Sequence, residues 1–177
     1  MAYVNAEIEP IEAEIRSGWM TIEQGQAEFA NRIAEAEAAI QADEASIAET
    51  KESIAAIDSE LESLREESKS LSNEIGELRW QEMSAHQDGD PAAEASSQAL
   101  ADCYEKQRDE IDSCIGDLCK ERDGMHEVKY DQEQQLDNDK RTLDSLHADK
   151  QEFDSRCERI REENERLRQQ RDLIEGK

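Results

Sequence analysis

The chain has 177 residues, of which 38% are charged and only 4% are aromatic, and its formal net charge is −25. So many charged and so few aromatic side chains argue against a globule with a thick apolar core. The aliphatic residues nevertheless recur at a strict period, which argues against the disorder that such a composition otherwise allows.

Residues 1–20 are predicted to form a short N-terminal helix and a turn. Gly18 is typical of a helix end, and Thr21 with Gln24 resembles a capping box for a following helix. Three aliphatic residues at helical spacing are expected to cover part of the far end of the chain. They are Ile8, Ile11 and Ile15, facing Phe153, Ile160 and Leu167. The segment lacks the pattern of a secretory signal, so we expect a cytoplasmic protein.

Residues 21–85 are predicted to form the first long helix. Apolar residues recur every seventh position in one row, and a second row is offset from it by three residues. The first row is Ile33, Ile40, Ile47, Ile54, Leu61 and Ile75, interrupted by Ser68. The second contains Ile22, Phe29, Ile57, Leu64, Leu71 and Leu78, with Asp43 and Thr50 among them. Two rows at this offset are the core positions of a left-handed coiled coil.

Residues 86–91 are predicted to form a hairpin turn. Asp88 followed by Gly89 is a turn signal. Asp90 before Pro91 fits a helix N-cap followed by proline at the first helical position. We therefore expect the chain to reverse its direction here.

Residues 92–177 are predicted to form the second long heptad helix, with a more basic C-terminal tip. One row runs in sevens from Tyr104 to Ile174, and its companion row includes Arg122, Lys129 and Asn164. Polar residues at core positions weaken packing but fix register and partner choice. The tip, residues 156–177, contains seven basic and six acidic residues, whereas the rest of the chain is strongly acidic.

These elements predict an all-α fold, a long antiparallel coiled-coil helical hairpin with a short N-terminal helix. Reversal at residues 86–91 pairs positions whose numbers sum to about 178, which sets Leu61 near Leu118. Two helices alone bury little apolar surface, so we expect self-association through the heptad faces or a protein partner. No apolar stretch is long enough to span a membrane, and no membrane association is expected.

The acidic surface has two interpretations. Carboxylates on a helix commonly form a solvated face with opposite charges four residues away. They can also mimic nucleic acid and occupy a basic site on another protein. Direct nucleic-acid binding is not expected, because it needs a basic stripe. The C-terminal arginines either complement the helix dipole or dock an acidic partner.

Five residues are the candidate partner contacts. Exposed tryptophan and arginine side chains often dominate protein interfaces, although an aromatic residue at the end of an element can also be a local packing residue. The five are Trp19, Trp80, Arg159, Arg166 and Arg168.

The sequence predicts neither catalysis nor a cofactor. The four cysteines and three histidines lack the short paired spacings of zinc sites, and we expect the cysteines to be reduced and buried. No phosphate loop, nucleophile elbow or other catalytic motif is recognisable. We therefore expect no catalytic residue, no metal site and no bound cofactor.

Three functional hypotheses remain. The leading one is a non-enzymatic structural or interaction protein, a coiled-coil scaffold, spacer or adaptor. The alternative is an acidic inhibitor or nucleic-acid mimic that occupies a basic site on another protein. A third is a chaperone-like protein that lends its helices to an exposed amphipathic helix.

Overall fold

A computed structural model describes the backbone of residues 2–176 and the side chains of residues 7–176. It contains two long α-helices, α1 (Ala2–Asp88) and α2 (Pro91–Glu175), which pack against each other. The predicted all-α class is confirmed, since the described residues form helix everywhere except at the turn and at the last position.

The predicted short N-terminal helix is wrong. Helix α1 continues without a break through the turn expected at the end of segment 1–20. Pro10 also lies inside α1, where it removes one backbone hydrogen bond without ending the helix. Within the predicted segments 1–20 and 92–177, Met1 and Lys177 lie outside the described residues.

Gly18 explains why a helix-ending signal is found inside a helix. A Cβ atom at Gly18 would lie 2.7 Å from Asn164 Oδ1 and 3.0 Å from Ile160 Cγ2. The glycine is therefore needed for the close approach of α2. Thr21 does not cap a new helix either, because its hydroxyl donates to the Ser17 carbonyl at 2.9 Å within the same helix.

The turn between the helices occupies Gly89 and Asp90. Gly89 has φ of +71°, a conformation that glycine adopts without steric cost. The side chain of Asp90 accepts hydrogen bonds from the backbone N–H groups of Ala92 and Ala93, both at 3.1 Å. Asp90 is thus the N-cap of α2, with Pro91 at the first helical position, as the sequence predicts.

One compact unit, the turn unit, contains residues 45–133. Its buried apolar residues come mainly from the two rows predicted for α1. They are Ile47, Ile54, Ile57, Leu61 and Ile75, joined by Ala101 of α2. Cross-helix hydrogen bonds join Ser46 to Gln132 at 2.8 Å and Ser68 to Asp112 at 2.8 Å. The helices of this unit are therefore antiparallel, and these residue numbers sum close to the predicted 178.

The second compact unit, the terminal unit, contains α1 up to Glu44 and α2 from Gln134 onward. Its buried side chains are Ile11, Ile15, Ile22, Leu146, Cys157 and Asn164. Phe29 and Phe153 stack with ring centroids 5.3 Å apart at a 40° tilt. Gly25 lies directly against the Phe153 ring. Phe153 is thus covered by Gly25 and Phe29, which lie beyond the segment 1–20 for which that contact is predicted. The carbonyl of Ile15 instead accepts a hydrogen bond from Asn164 Nδ2 at 3.3 Å.

The cysteines differ in exposure. Cys157 is 1% exposed and fits the expected role of a small apolar core residue. The expectation of burial is wrong for Cys103 and Cys114, which are both exposed. Each precedes a residue of an inward-facing row, and one position along a helix rotates a side chain by about 100°.

Candidate protein-interaction sites

Trp80 is a large apolar side chain on the outside of the turn unit, with 65% of its surface exposed. It follows the buried Ile75 by five positions, which places it about 140° around the helix from that residue. Met83 lies one turn further along α1 and is 54% exposed. Both side chains therefore lie outside the packed seam and can contact another molecule.

Open grooves flank the indole of Trp80 on both sides. One is lined by Gly76 and Glu77, and the other by Ser84 and Asp88. A Cβ atom at Gly76 would meet nothing within 4 Å, so the space beside Gly76 is open. We call the region formed by Gly76, Glu77, Trp80, Met83 and Asp88 the Trp80 surface.

The Trp80 surface lies in a strongly acidic part of the chain. Residues 72–94 contain six acidic side chains and one arginine, Arg79. That arginine bonds to Glu82 at 3.0 Å, Glu105 at 3.0 Å and Asp102 at 2.6 Å. Hydrogen bonds to these three carboxylates raise the pKa of Arg79. Its charge is therefore already compensated and does not neutralise the Trp80 surface.

Trp19 is placed differently, in the terminal unit. Its ring is half-buried, and the guanidinium carbon of Arg168 lies 5.6 Å from the ring centroid. The indole Nε1 is buried and has no hydrogen-bond partner among the described residues. The structure thus brings two of the predicted contact residues together, and Trp19 packs within its own chain.

The three predicted arginine contacts are all exposed. Arg168 also lies 3.9 Å from Glu165, the outer limit of an ion pair. Arg159 lines a groove with Gly18. Neither Arg159 nor Arg166 forms an ion pair within the described part of the chain. The arginines are accessible, but only Arg168 is joined to another predicted contact.

Sequence reasoning missed several exposed apolar residues. Tyr130 is 61% exposed and Val128 is 49% exposed, both in the turn unit. Leu173 in the terminal unit is 71% exposed. Tyr130 directly follows Lys129 of one predicted row, and Leu173 directly precedes Ile174 of the other. This offset of one position from the inward-facing rows was the available signal that both side chains face outward.

The described residues hold no group of three or more side chains arranged to bind a metal ion. Within those same residues, neither helix has a stretch apolar and long enough to cross a membrane. Comparison with known proteins gives no match to a family model, a curated protein or a solved structure.

Proposed function

We propose that this chain is a non-enzymatic interaction protein that acts as a coiled-coil scaffold, spacer or adaptor. The observation that carries the proposal is the exposure of Trp80 beside Met83 on a helix whose inward face is already packed. Exposed aromatic side chains on such a surface are typical anchors of protein interfaces. The partner is another protein or a second copy of the chain, and the compartment we expect is the cytoplasm.

The spacing of the buried residues supports the coiled-coil part of the proposal. Ile47, Ile54 and Leu61 are buried at intervals of seven residues, and Thr50 and Ile57 are buried at the offset of three. Such a pattern favours a left-handed supercoil in which each side chain fits between residues of the facing helix. In that arrangement the helix pair is a stiff support for the exposed contacts.

A non-enzymatic role agrees with the kind of cavity that two helices provide. General acid and base catalysis depends on groups held in a site that excludes water. The grooves beside Trp80 and beside Gly18 are lined by surface side chains such as Glu77 and Glu14. Grooves on the surface of a helix pair are better suited to binding a partner protein than to enclosing a substrate.

The experiment that tests the proposal is proximity labelling in the native organism with the full chain. Trp80→Ala is compared with wild type and with Tyr130→Ala, a matched control because Tyr130 is similarly exposed in the same unit. We expect at least one partner protein that is labelled by wild type and Tyr130→Ala and lost with Trp80→Ala. Identical labelling by all three proteins, or an unfolded circular dichroism spectrum of the purified chain, would contradict the proposal.

The second candidate function is that of an acidic inhibitor or nucleic-acid mimic. The observation that favours it is the exposure of successive carboxylates along α1. They include Asp58, Glu60, Glu62, Glu66, Glu67, Glu74 and Glu77. Reversing the charge of the exposed glutamates in residues 58–82 should abolish binding to a nucleic-acid-binding partner. Unchanged partner binding after charge reversal would rule this candidate out.

A further inference from the structure

We propose that the Trp80 surface binds a basic segment of a partner protein, with an arginine or lysine of that segment against the indole face. The inference rests on the proposed interaction function and names the chemistry of the partner. Its three supports are an accessible aromatic face, uncompensated negative charge and the length of the flanking grooves.

The indole face of Trp80 is available to a cation. Cations bind the faces of aromatic rings, and tryptophan is the best acceptor among them. The chain uses this contact at Trp19, where Arg168 lies over the ring at 5.6 Å. Within the described residues, no arginine of this chain covers Trp80, and the ring is 65% exposed. A cation from a partner is the group that completes the same arrangement.

The charge around Trp80 selects a basic partner. Glu77 and Asp88 line the two grooves and form no ion pair within the described part of the chain. The one nearby arginine, Arg79, is already bonded to three carboxylates. An acidic partner such as nucleic acid would be repelled, and a second copy of a chain with net charge −25 is disfavoured for the same reason.

The size of the region indicates a polypeptide segment and not a small cation. The two grooves extend along α1 from Ser72 to Asp88. The rise from Ser72 to Asp88 is about 24 Å, which matches a partner helix of about four turns. Met83 adds exposed apolar area one turn from Trp80, which suits a segment that carries aliphatic as well as basic side chains.

The test measures binding of a fluorescein-labelled, 16-residue amphipathic peptide of arginine, leucine and alanine to the full chain by anisotropy. We expect saturable binding that weakens steeply with salt, and no binding of a peptide with glutamate in place of arginine. Trp80→Ala should weaken binding about threefold to fivefold, while Trp80→Phe retains part of it. Tyr130→Ala should bind the peptide as wild type does.

A matched pair of charge variants separates a defined site from general attraction to an acidic protein. Glu77→Gln with Asp88→Asn should weaken peptide binding several-fold. Glu121→Gln with Asp131→Asn is the control, because these residues are also exposed in the turn unit and form no ion pair within its described residues. Equal binding by both double variants would overturn the inference. All variants should keep the helical circular dichroism of wild type.

Two further outcomes are distinguishable. If sedimentation shows an oligomer that Trp80→Ala dissociates, the occupant is a second copy and the inference is overturned. Alternatively, peptide binding is the same for Trp80→Ala and wild type, while proximity labelling still finds a partner that depends on Trp80. In that case the proposal of a basic segment is overturned and the proposed interaction function stands. If neither measurement depends on Trp80, both proposals fail.

Discussion

Asp43 of α1 lies within reach of the charge of Asp139 of α2, and both residues are half-buried in the terminal unit. Burial of Asp43, followed by the charge of Asp139 and a hydrogen bond to it, raises the pKa of Asp43. One oxygen of Asp43 is buried without a hydrogen-bond partner among the described residues. Two ionised carboxylates have no donor between them, and the hydrogen bond forms only when Asp43 takes up a proton.

This pair should make the terminal unit more stable as the pH falls from neutral. The folded chain holds the proton of Asp43 more tightly than the unfolded chain, in which its pKa is near the ordinary 3.8. The gain in stability therefore begins as the pH falls through the raised value and is complete below the ordinary one. Asp43→Asn should raise the melting temperature at pH 7, and this advantage over wild type should shrink towards pH 4.

Thermal melts followed by circular dichroism measure both proteins across this pH range. Asp149→Asn is the control, because Asp149 is exposed in the same unit and the substitution removes the same charge. The control should show a smaller rise at pH 7. A melting temperature of Asp43→Asn below that of wild type at pH 7 would contradict the interpretation.

Gly25 is predicted to tolerate no side chain. A Cβ atom there would clash with Phe153 Cζ, and the ring has little room to move because it packs against Phe29. Overpacking costs about 1–3 kcal/mol, which exceeds the roughly 0.5–1 kcal/mol that alanine gains over glycine in a helix. Gly25→Ala should therefore lower the free energy of unfolding in urea titrations.

The same substitution at Gly76 is the control. No atom lies within 4 Å of a Cβ built there, so Gly76→Ala should stabilise the chain by about 0.5–1 kcal/mol. Opposite signs at the two glycines are expected. Stabilisation by both substitutions would mean that α1 and α2 are not in close contact at Gly25.

The glycines also show what the sequence could and could not predict. The turn was predictable because its signals are local, as Asp90 and Pro91 illustrate, and the reversal at that turn predicted which positions of the two helices face each other. The break at Gly18 was wrongly predicted, because a glycine that ends a helix and a glycine that admits a neighbouring helix look alike in one sequence. Trp19 and Trp80 were equivalent as candidates, since only the structure places Arg168 over one ring and leaves the other open.

Gln132 is predicted to control specificity more than stability. Its Oε1 accepts a hydrogen bond from Thr50 at 3.0 Å, and its Nε2 donates to Ser46 Oγ at 2.8 Å. Gln132→Leu removes two bonds of about 1 kcal/mol each and buries an aliphatic side chain that contributes about 2 kcal/mol. The free energy of unfolding should therefore change by less than about 1 kcal/mol.

The oligomeric state is where the effect of Gln132→Leu should appear, because polar core residues fix the number and register of helices at some cost in stability. Sedimentation velocity should show a broader or larger species than wild type. Gln107→Leu adds the same side chain at an exposed position of the turn unit and should leave the distribution unchanged. If Gln132→Leu sediments as wild type does, Gln132 does not control the oligomeric state.

Asp90 is predicted to stabilise the start of α2. Its side chain accepts hydrogen bonds from the N–H groups of Ala92 and Ala93, which otherwise have no partner inside the helix. Asp90→Ala should cost about 1 kcal/mol in urea unfolding. Asp88→Ala removes the same charge without removing these bonds, and should cost less. Equal losses from both substitutions would contradict the capping role.

The exposure of the cysteines predicts two rates of thiol modification. Cys103 and Cys114 are exposed, whereas Cys157 is 1% exposed and burial raises the pKa of its thiol. Because the thiolate is the reacting form, Cys157 should react only when α1 and α2 separate locally. With Ellman's reagent at pH 8 we expect a fast phase from Cys103 and Cys114, and reaction of Cys157 at least about tenfold more slowly.

Substitution and denaturation assign the two phases. Cys103→Ser with Cys114→Ser should abolish the fast phase and leave the slower reactions of the half-buried Cys119 and the buried Cys157. Urea should bring Cys157 to the rate of the exposed thiols, since unfolding removes both its burial and the cause of its raised pKa. Fast reaction of Cys157 in the native chain would show that the helices around it are not packed, and the buried core of the terminal unit would then be wrong.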